Sequence, residues 1–301
     1  QPTPRPARRA GDAEDIVKTR GIAFFAVAAA VAAGAPAGAE VRAATLHSAA
    51  LGRDVNCVVH LPPSYGEGAK TYPVVYALHG LFESSQFWSR RGLAPILDDL
   101  WARHVLPEFV VVAVDGGNSF FVNSPQGAFE DLVTKETISF AESSFRVQRE
   151  RKGRALFGVS MGGYAALRIA LSHPDLYAAV ATHSAMLLSG PPRPGQGADP
   201  YQLAAFARVF GEPPDMALWK ANDPLDWAQR AAPGGQPAFS FDCGDHDRYG
   251  LGAGHEELHR RLQARGVPHE FALKPGDHGY EYVRSVLPAS LEFLAKRLAV
   301  K

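Results

Sequence analysis

Short apolar runs alternate with longer amphipathic stretches along most of this 301-residue chain, and that alternation limits the folds open to it. The runs at 55–61, 74–78, 110–114, 155–157, 178–182, 238–241 and 270–273 have the length and residue types of strands. Several are apolar throughout, as strands covered on both faces must be. Helices are predicted between them at 93–103, 131–144, 163–172, 255–265 and 283–296. Such alternation gives an α/β fold: a mainly parallel central sheet with helices on both faces. The first pair, 43–50 and 55–61, is joined by Leu51-Gly52-Arg53-Asp54 and reads as a hairpin, so the sheet begins antiparallel. One stretch, about 184–237, breaks the rhythm. It opens on Pro191, Pro192 and Pro194 among glycines and offers only short helices, at 201–210 and 217–219. A long excursion inside a compact domain is usually functional. It is expected to cap the carboxyl edge of the sheet. No repeat or second domain interrupts residues 40–301.

The first 39 residues read as a leader. Lys18 and Arg20 precede an unbroken apolar run at 22–33, and Ala37-Gly38-Ala39 has the small-x-small pattern of a signal-peptidase site. The run is shorter than the ~20 residues a membrane span needs. Removal of residues 1–39 on export, a secreted or periplasmic location and no stable membrane insertion afterwards are therefore expected. Residues 1–17, rich in Pro and Arg and without Met, fit neither a signal peptide nor a fold. They read as an over-extended reading frame with the start near Val17, or as a disordered leader. Lys+Arg and Asp+Glu both total 31, so there is no electrostatic case for nucleic acid or an anionic membrane as partner. The two cysteines, Cys57 and Cys243, form neither a C-x-x-C pair nor a zinc-spaced cluster. No metal site, P-loop or dinucleotide fingerprint is present, so no cofactor is implied.

The chemistry centres on Gly158-Val159-Ser160-Met161-Gly162, which follows a strand and opens a helix. That is the context of a nucleophile elbow, where a strained turn exposes a serine and the helix start offers free N–H groups to a developing oxyanion. A serine nucleophile needs a base, and the base needs an orienting carboxylate, in the chain order serine, acid, histidine. Of the later histidines, His173 ends the nucleophile helix pointing the wrong way, and His269 opens a strand. His255 and His259, spaced i, i+4, read as a solvated helix face. His278 stands in Pro275-Gly276-Asp277-His278-Gly279, after the last strand and before the last helix, from where it can reach back over the sheet edge. The acid belongs to Asp242-Cys243-Gly244-Asp245-His246-Asp247. Asp242 ends the strand and is expected to bond to local backbone. Position alone does not separate Asp245 from Asp247.

Leu78-His79-Gly80-Leu81-Phe82-Glu83, Asn118-Ser119-Phe120, Glu130-Asp131, the Ser160 motif, the Asp242–Asp247 stretch and Gly276-Asp277-His278 together resemble an esterase family of α/β-hydrolases. That family holds S-formylglutathione hydrolases, feruloyl, acetyl and tributyrin esterases and secreted mycolyltransferases. The resemblance implies Asp247 as the acid and the Leu81 N–H as second oxyanion donor beside that of Met161. His79 reads as a structural loop residue. Phe82, Trp88, Phe120 and Trp219, with Phe87 and Phe121, are candidates for lining an acyl or alcohol pocket. Asn118 and Glu130 are candidates for fixing the loop beside it. The family's strand order also implies that Cys57 and Cys243 lie too far apart to pair.

The expected activity is hydrolysis of a small-molecule carboxylic ester through an acyl-enzyme, without cofactor. The cap region has no apolar stripe longer than 203–210 and carries scattered charge, which favours short or compact acyl groups. Acyl transfer of the mycolyltransferase kind, an S-formylglutathione-type thioesterase and a non-catalytic binding protein are the competing readings.

Overall fold

The structure, a computed structural model, describes residues 39–195 and 198–298. Apart from Ala39, the expected leader lies outside the described residues. An eight-stranded sheet runs in the order β1-β2-β4-β3-β7-β8-β9-β10. β1 (Glu40–Ser48) and β2 (Arg53–Leu61) form the expected hairpin, and β2 also runs antiparallel to β4 (Val110–Val114). All other pairings in this sheet are parallel: β4 with β3 (Val74–Leu78), then β7 (Arg154–Val159), β8 (Ala179–His183), β9 (Ala238–Gly244) and β10 (His269–Lys274). A two-residue ladder, β5 (Asn123–Ser124) with β6 (Gly127–Ala128), is too short for periodicity to reveal.

Side chains alternate across a strand, and β3 shows it. Val74, Tyr76 and Leu78 enter one core layer, while Val75 and Ala77 enter the other. The second layer is closed by α1 (Phe87–Arg90), α2 (Leu93–Ala102) and α10 (Tyr280–Ala295). The first is closed by α3 (Phe129–Asp131), α4 (Thr137–Ser144), α5 (Met161–Ser172) and α9 (Gly252–Ala264), with the helices of the excursion. The helix expected over 131–144 is not uniform, because residues Leu132–Glu136 between α3 and α4 take a wider π turn.

The excursion holds three helices where two were predicted: α6 (Pro200–Phe210), α7 (Met216–Asn222) and α8 (Pro224–Arg230). Each starts on an aspartate whose side chain accepts N–H groups of the first turn: Asp199, Asp215 and Asp223. Pro200 and Pro224 occupy the first turns of α6 and α8, where the missing N–H costs nothing. Three of the excursion's charged residues are thus caps.

Chain order reverses at β3. The connection from β3 leads to β4 on one side, and the chain later returns to place β7 on the other. Loops leaving the carboxyl ends of β3 and β7 diverge there, and a crevice opens between them. Cys57 on β2 and Cys243 on β9 are buried and unpaired, as expected, with four strands between them.

Candidate active site

Ser160 joins β7 to α5 with φ 54° and ψ −117°. An L-residue keeps such a conformation only where its surroundings over-determine it. Its N–H donates to His183 O at 3.0 Å, and its carbonyl accepts the N–H groups of Tyr164 and Met186 at 2.9 and 3.1 Å. The motif glycines leave room for this. A Cβ on Gly158 would stand 2.3 Å from Gly162 O, and one on Gly162 would stand 2.3 Å from Leu78 O.

His278, in the β10–α10 loop, brings Nε2 to 3.1 Å from Ser160 Oγ and Nδ1 to 2.7 Å from Asp247 Oδ2. An ionised carboxylate only accepts, so Nδ1 carries the proton of the neutral ring and Nε2 is free to accept from the serine hydroxyl. Tyr249 packs edge-on to the imidazole at 4.7 Å between centroids. Asp247 also accepts the Tyr249 N–H at 3.0 Å and the Cys243 thiol at 3.5 Å. Burial raises the Asp247 pKa, but the bond to His278, its charge and the other donors outweigh that and hold the carboxyl below its ordinary value. Asp245 is exposed, beside His246, and does not reach His278. The structure therefore separates the two aspartates that sequence position left level.

Leu81 and Met161 both face the cavity beside Ser160. Met161 is the first residue of α5, where backbone N–H groups have no acceptor within the helix. The Leu81 loop is held from behind. Asn118 Oδ1 accepts the Phe82 N–H at 2.8 Å. His79 donates from Nδ1 to Gly80 O at 2.8 Å and accepts the Gly116 N–H on Nε2 at 3.0 Å. His79 is buried and structural, as expected. Positive φ recurs here: Phe82, Phe120, Phe121, Ser160 and Ser184 are five of the six such non-glycine residues among those described.

The cavity has a volume of about 610 Å³. Phe82 and Phe120 line it, with Phe87, Met186 and, from the cap, Phe206. Trp88 and Trp219 do not. Trp88 points into the opposite core layer and packs against Phe157 at 4.5 Å, while Phe87 beside it on α1 reaches the cavity wall. Trp219 is buried behind Phe206 and Phe210 at 5.4 and 5.3 Å, so it supports the wall without reaching the cavity. Glu83, Arg91, Asp199 and Gln202 add polar lining.

Two carboxylates, Glu130 partly buried and Asp242 buried, brace the site. Glu130 binds Arg168 of α5 and accepts from His173 Nε2 at 2.6 Å, while Arg168 donates to Phe121 O at 2.7 Å. Burial raises the Glu130 pKa, but His173 and Arg168 more than reverse it and bring it to about 2. Glu130 thus fixes the Phe120-Phe121 loop, as expected, though its buried cationic partner was missed. A lone arginine inside the apolar run 163–171 was the available signal. Asp242 does not bond to local backbone. Its side chain accepts from His183 Nδ1 at 2.9 Å, Tyr282 Oη at 2.6 Å and Lys274 Nζ at 3.0 Å. Burial raises its pKa too, but His183, Tyr282 and Lys274 lower it to about 2. His255 is likewise no solvated residue. It is fully buried, accepts the Ala185 N–H at 3.1 Å and donates to Leu251 O at 2.9 Å, because it shares the inward stripe of α9 with Leu258 and Leu262. Its partner His259 is half-buried and bonds His269. Among the described residues no group of three or more His, Cys, Asp or Glu could hold a metal ion.

The profile of the family described as Putative esterase matches residues 48–294. The chain belongs to that family. Among curated esterase relatives, Esterase MT1326 of Mycobacterium tuberculosis (strain CDC 1551 / Oshkosh) is 28% identical over 83% of this chain and 60% of its own length. This chain thus spans less than two thirds of that relative. An S-formylglutathione hydrolase of Paracoccus denitrificans is 26% identical over 83% of this chain and 91% of its own. A solved ferulic acid esterase superposes with a TM-score of 0.76 at 27% identity, over 87% of this chain and 99% of its own. The S-formylglutathione hydrolase of Agrobacterium tumefaciens shares the fold, with a TM-score of 0.72 at 20% identity over 88% and 98%. The esterase fold of these neighbours is the α/β-hydrolase sheet expected from the sequence.

Glu130 yields a pH prediction. Its folded pKa lies below the ordinary 4.5, so its stabilisation is complete above that value and is lost as pH falls through about 2. A shift of this size corresponds to at most about 3 kcal/mol at pH 7. Glu130→Gln should therefore lower stability at pH 7, and the gap to wild type should narrow by more than half by about pH 3, read from urea unfolding. A gap independent of pH would contradict the assignment.

Proposed function

We propose that this chain is a serine hydrolase of carboxylic esters with short or compact acyl groups. The observation that carries the reading is the unbroken hydrogen-bonded series Ser160–His278–Asp247 at the wall of the 610 Å³ cavity. Ser160 attacks the ester carbonyl while His278 Nε2 takes its proton. Asp247 holds the imidazole and stabilises its charged form. The N–H groups of Leu81 and Met161 bind the oxyanion. His278 then protonates the leaving alcohol and activates water against the acyl-enzyme. No step calls for a cofactor.

The cavity supports a compact acyl group. Phe82, Phe87, Phe120 and Phe206 give its lining an apolar, aromatic part, with Phe82 exposed. The likeness to a ferulic acid esterase makes an aromatic acyl group one to test. A long chain would have to run on against Glu83, Arg91, Asp199 and Gln202, whose desolvation opposes it. We propose in addition that residues 1–39 are a leader whose part from about Lys18 to Ala39 is an export signal, and that the enzyme acts outside the cytoplasm.

Ser160→Ala should lower kcat on p-nitrophenyl acetate by about 10⁶, and Asp247→Asn by about 10⁴. Asp245→Asn should cost far less; the reverse order of the two aspartates would overturn the choice of acid. Across acetyl, butyryl, octanoyl and palmitoyl p-nitrophenyl esters kcat/KM should fall with length, and a profile rising to palmitoyl would defeat the compact-acyl reading. N-terminal sequencing of exported protein should begin at Glu40, and an N-terminus upstream of Ile22 would refute the export signal.

A further inference from the structure

Asp247 and His278 sit on two separate loops that leave neighbouring strands. The last residue pair of the β9–β10 register is Gly244 with Lys274. Beyond it the main chain continues the connection briefly: Asp245 N–H donates to Lys274 O at 2.8 Å and His246 N–H to Gly276 O at 3.0 Å. Side chains then take over, and they do so reciprocally. Asp245, on the acid loop, accepts the Gly276 N–H of the histidine loop at 3.0 Å. Asp277, on the histidine loop, accepts the Arg248 N–H of the acid loop at 2.8 Å on Oδ1. Its Oδ2 accepts Arg248 Nε–H at 2.8 Å and also Nη2–H. Oδ1 accepts the His278 N–H as well, at 2.6 Å.

The carboxylate of Asp277 therefore grips the residue that follows the acid and the backbone of the base itself. Asp245, Arg248 and Asp277 do not line the cavity, so substrate binding does not explain them. A stabilising surface ion pair is the plainer account, but exposed pairs contribute little to stability. Proton transfer is far more sensitive to placement, since a displacement of ~1 Å can cost 10²-fold in rate.

We propose that Asp277, Arg248 and Asp245 form a two-carboxylate clasp between the loops, which positions His278 and Asp247 against Ser160. They are positioning residues, and the proposal rests on the triad reading above. Asp277→Ala should lower kcat on p-nitrophenyl acetate by ~10–100-fold. KM should stay within about twofold, and the melting temperature within about 4 °C of wild type. Labelling of Ser160 by a fluorophosphonate should slow by the same factor as kcat. Asp277→Asn, which keeps an oxygen for both N–H groups, should recover most of the loss. Arg248→Ala, an exposed substitution that the fold will tolerate, should lower kcat by roughly 3–10-fold, and its effect should not add to that of Asp277→Ala. Ser160→Ala is assayed alongside. If Ser160→Ala keeps its activity, the triad reading fails. If Ser160→Ala is inactive while both clasp variants keep wild-type kcat, or lose it only together with KM or melting temperature, the clasp is overturned and the triad reading stands.

Discussion

A serine at φ 54° is the constraint around which the other parts of this structure are arranged. Non-glycine backbone in this region costs of order 1–3 kcal/mol, so the turn persists only if neighbours hold it. They hold it from three sides. β8 supplies the His183 carbonyl, the segment after β8 supplies the Met186 N–H, and α5 closes its first turn on the Ser160 carbonyl. β7 and α5 can meet this tightly only because Gly158 and Gly162 carry no side chain. The core alanines of α5, all buried, continue the close packing of helix on sheet.

The carboxylates of Asp242 and Glu130 extend that bracing outward. Asp242 pairs in register with His183, the residue whose carbonyl holds Ser160, and binds Tyr282 at the start of the helix that follows His278. Glu130 works on the other side, through Arg168 of α5, and Arg168 fixes the Phe121 carbonyl next to the cavity-lining Phe120. Each carboxylate has at least two charged or hydrogen-bonding partners, which is the condition under which a buried charge is tolerated at all. Removing one partner would leave the carboxylate's charge only partly compensated. The cost of such a change would fall on the geometry of the site as much as on stability.

Local signals made much of this legible. The elbow, the hairpin, the sheet strands and the loop of His278 all announce themselves within windows of ten residues or fewer, because turn chemistry and strand periodicity are local. What failed depended on which face a short element presents. Trp88 and Trp219 were read by neighbourhood in sequence, yet α1 turns Trp88 beneath the sheet and α7 turns Trp219 behind Phe206. His255 and His259 have the i, i+4 spacing of a solvated pair, yet polar residues on a helix with a weak apolar stripe do not reveal which side meets the sheet. Arg168 and Asp242 acquire their partners from segments 32 to 59 residues distant, and no periodicity reports that. Asp245 and Asp247 lie two residues apart in one turn. Only the path of that turn decides that the second faces His278.

The cap shows how the cavity acquires a fixed shape. α6 and α7 carry Phe206, Phe210 and Trp219, and these rings pack on Phe120 and Tyr164 at centroid distances between 5.8 and 6.4 Å. Tyr164 belongs to the helix opened by Ser160, and its buried hydroxyl donates to Asn222 O at the end of α7 at 2.7 Å. Burial drives the Tyr164 pKa upward, so the hydroxyl keeps its proton and remains a donor. The wall facing the substrate is thus continuous with the nucleophile helix through one aromatic cluster and one buried hydrogen bond. A lid that swung on a hinge would have to break both. The excursion acts as a wall: Asp199, Asp215 and Asp223 cap its own short helices, and in the proposed reaction selection among acyl groups would fall to the aromatic surface that this cluster holds in place.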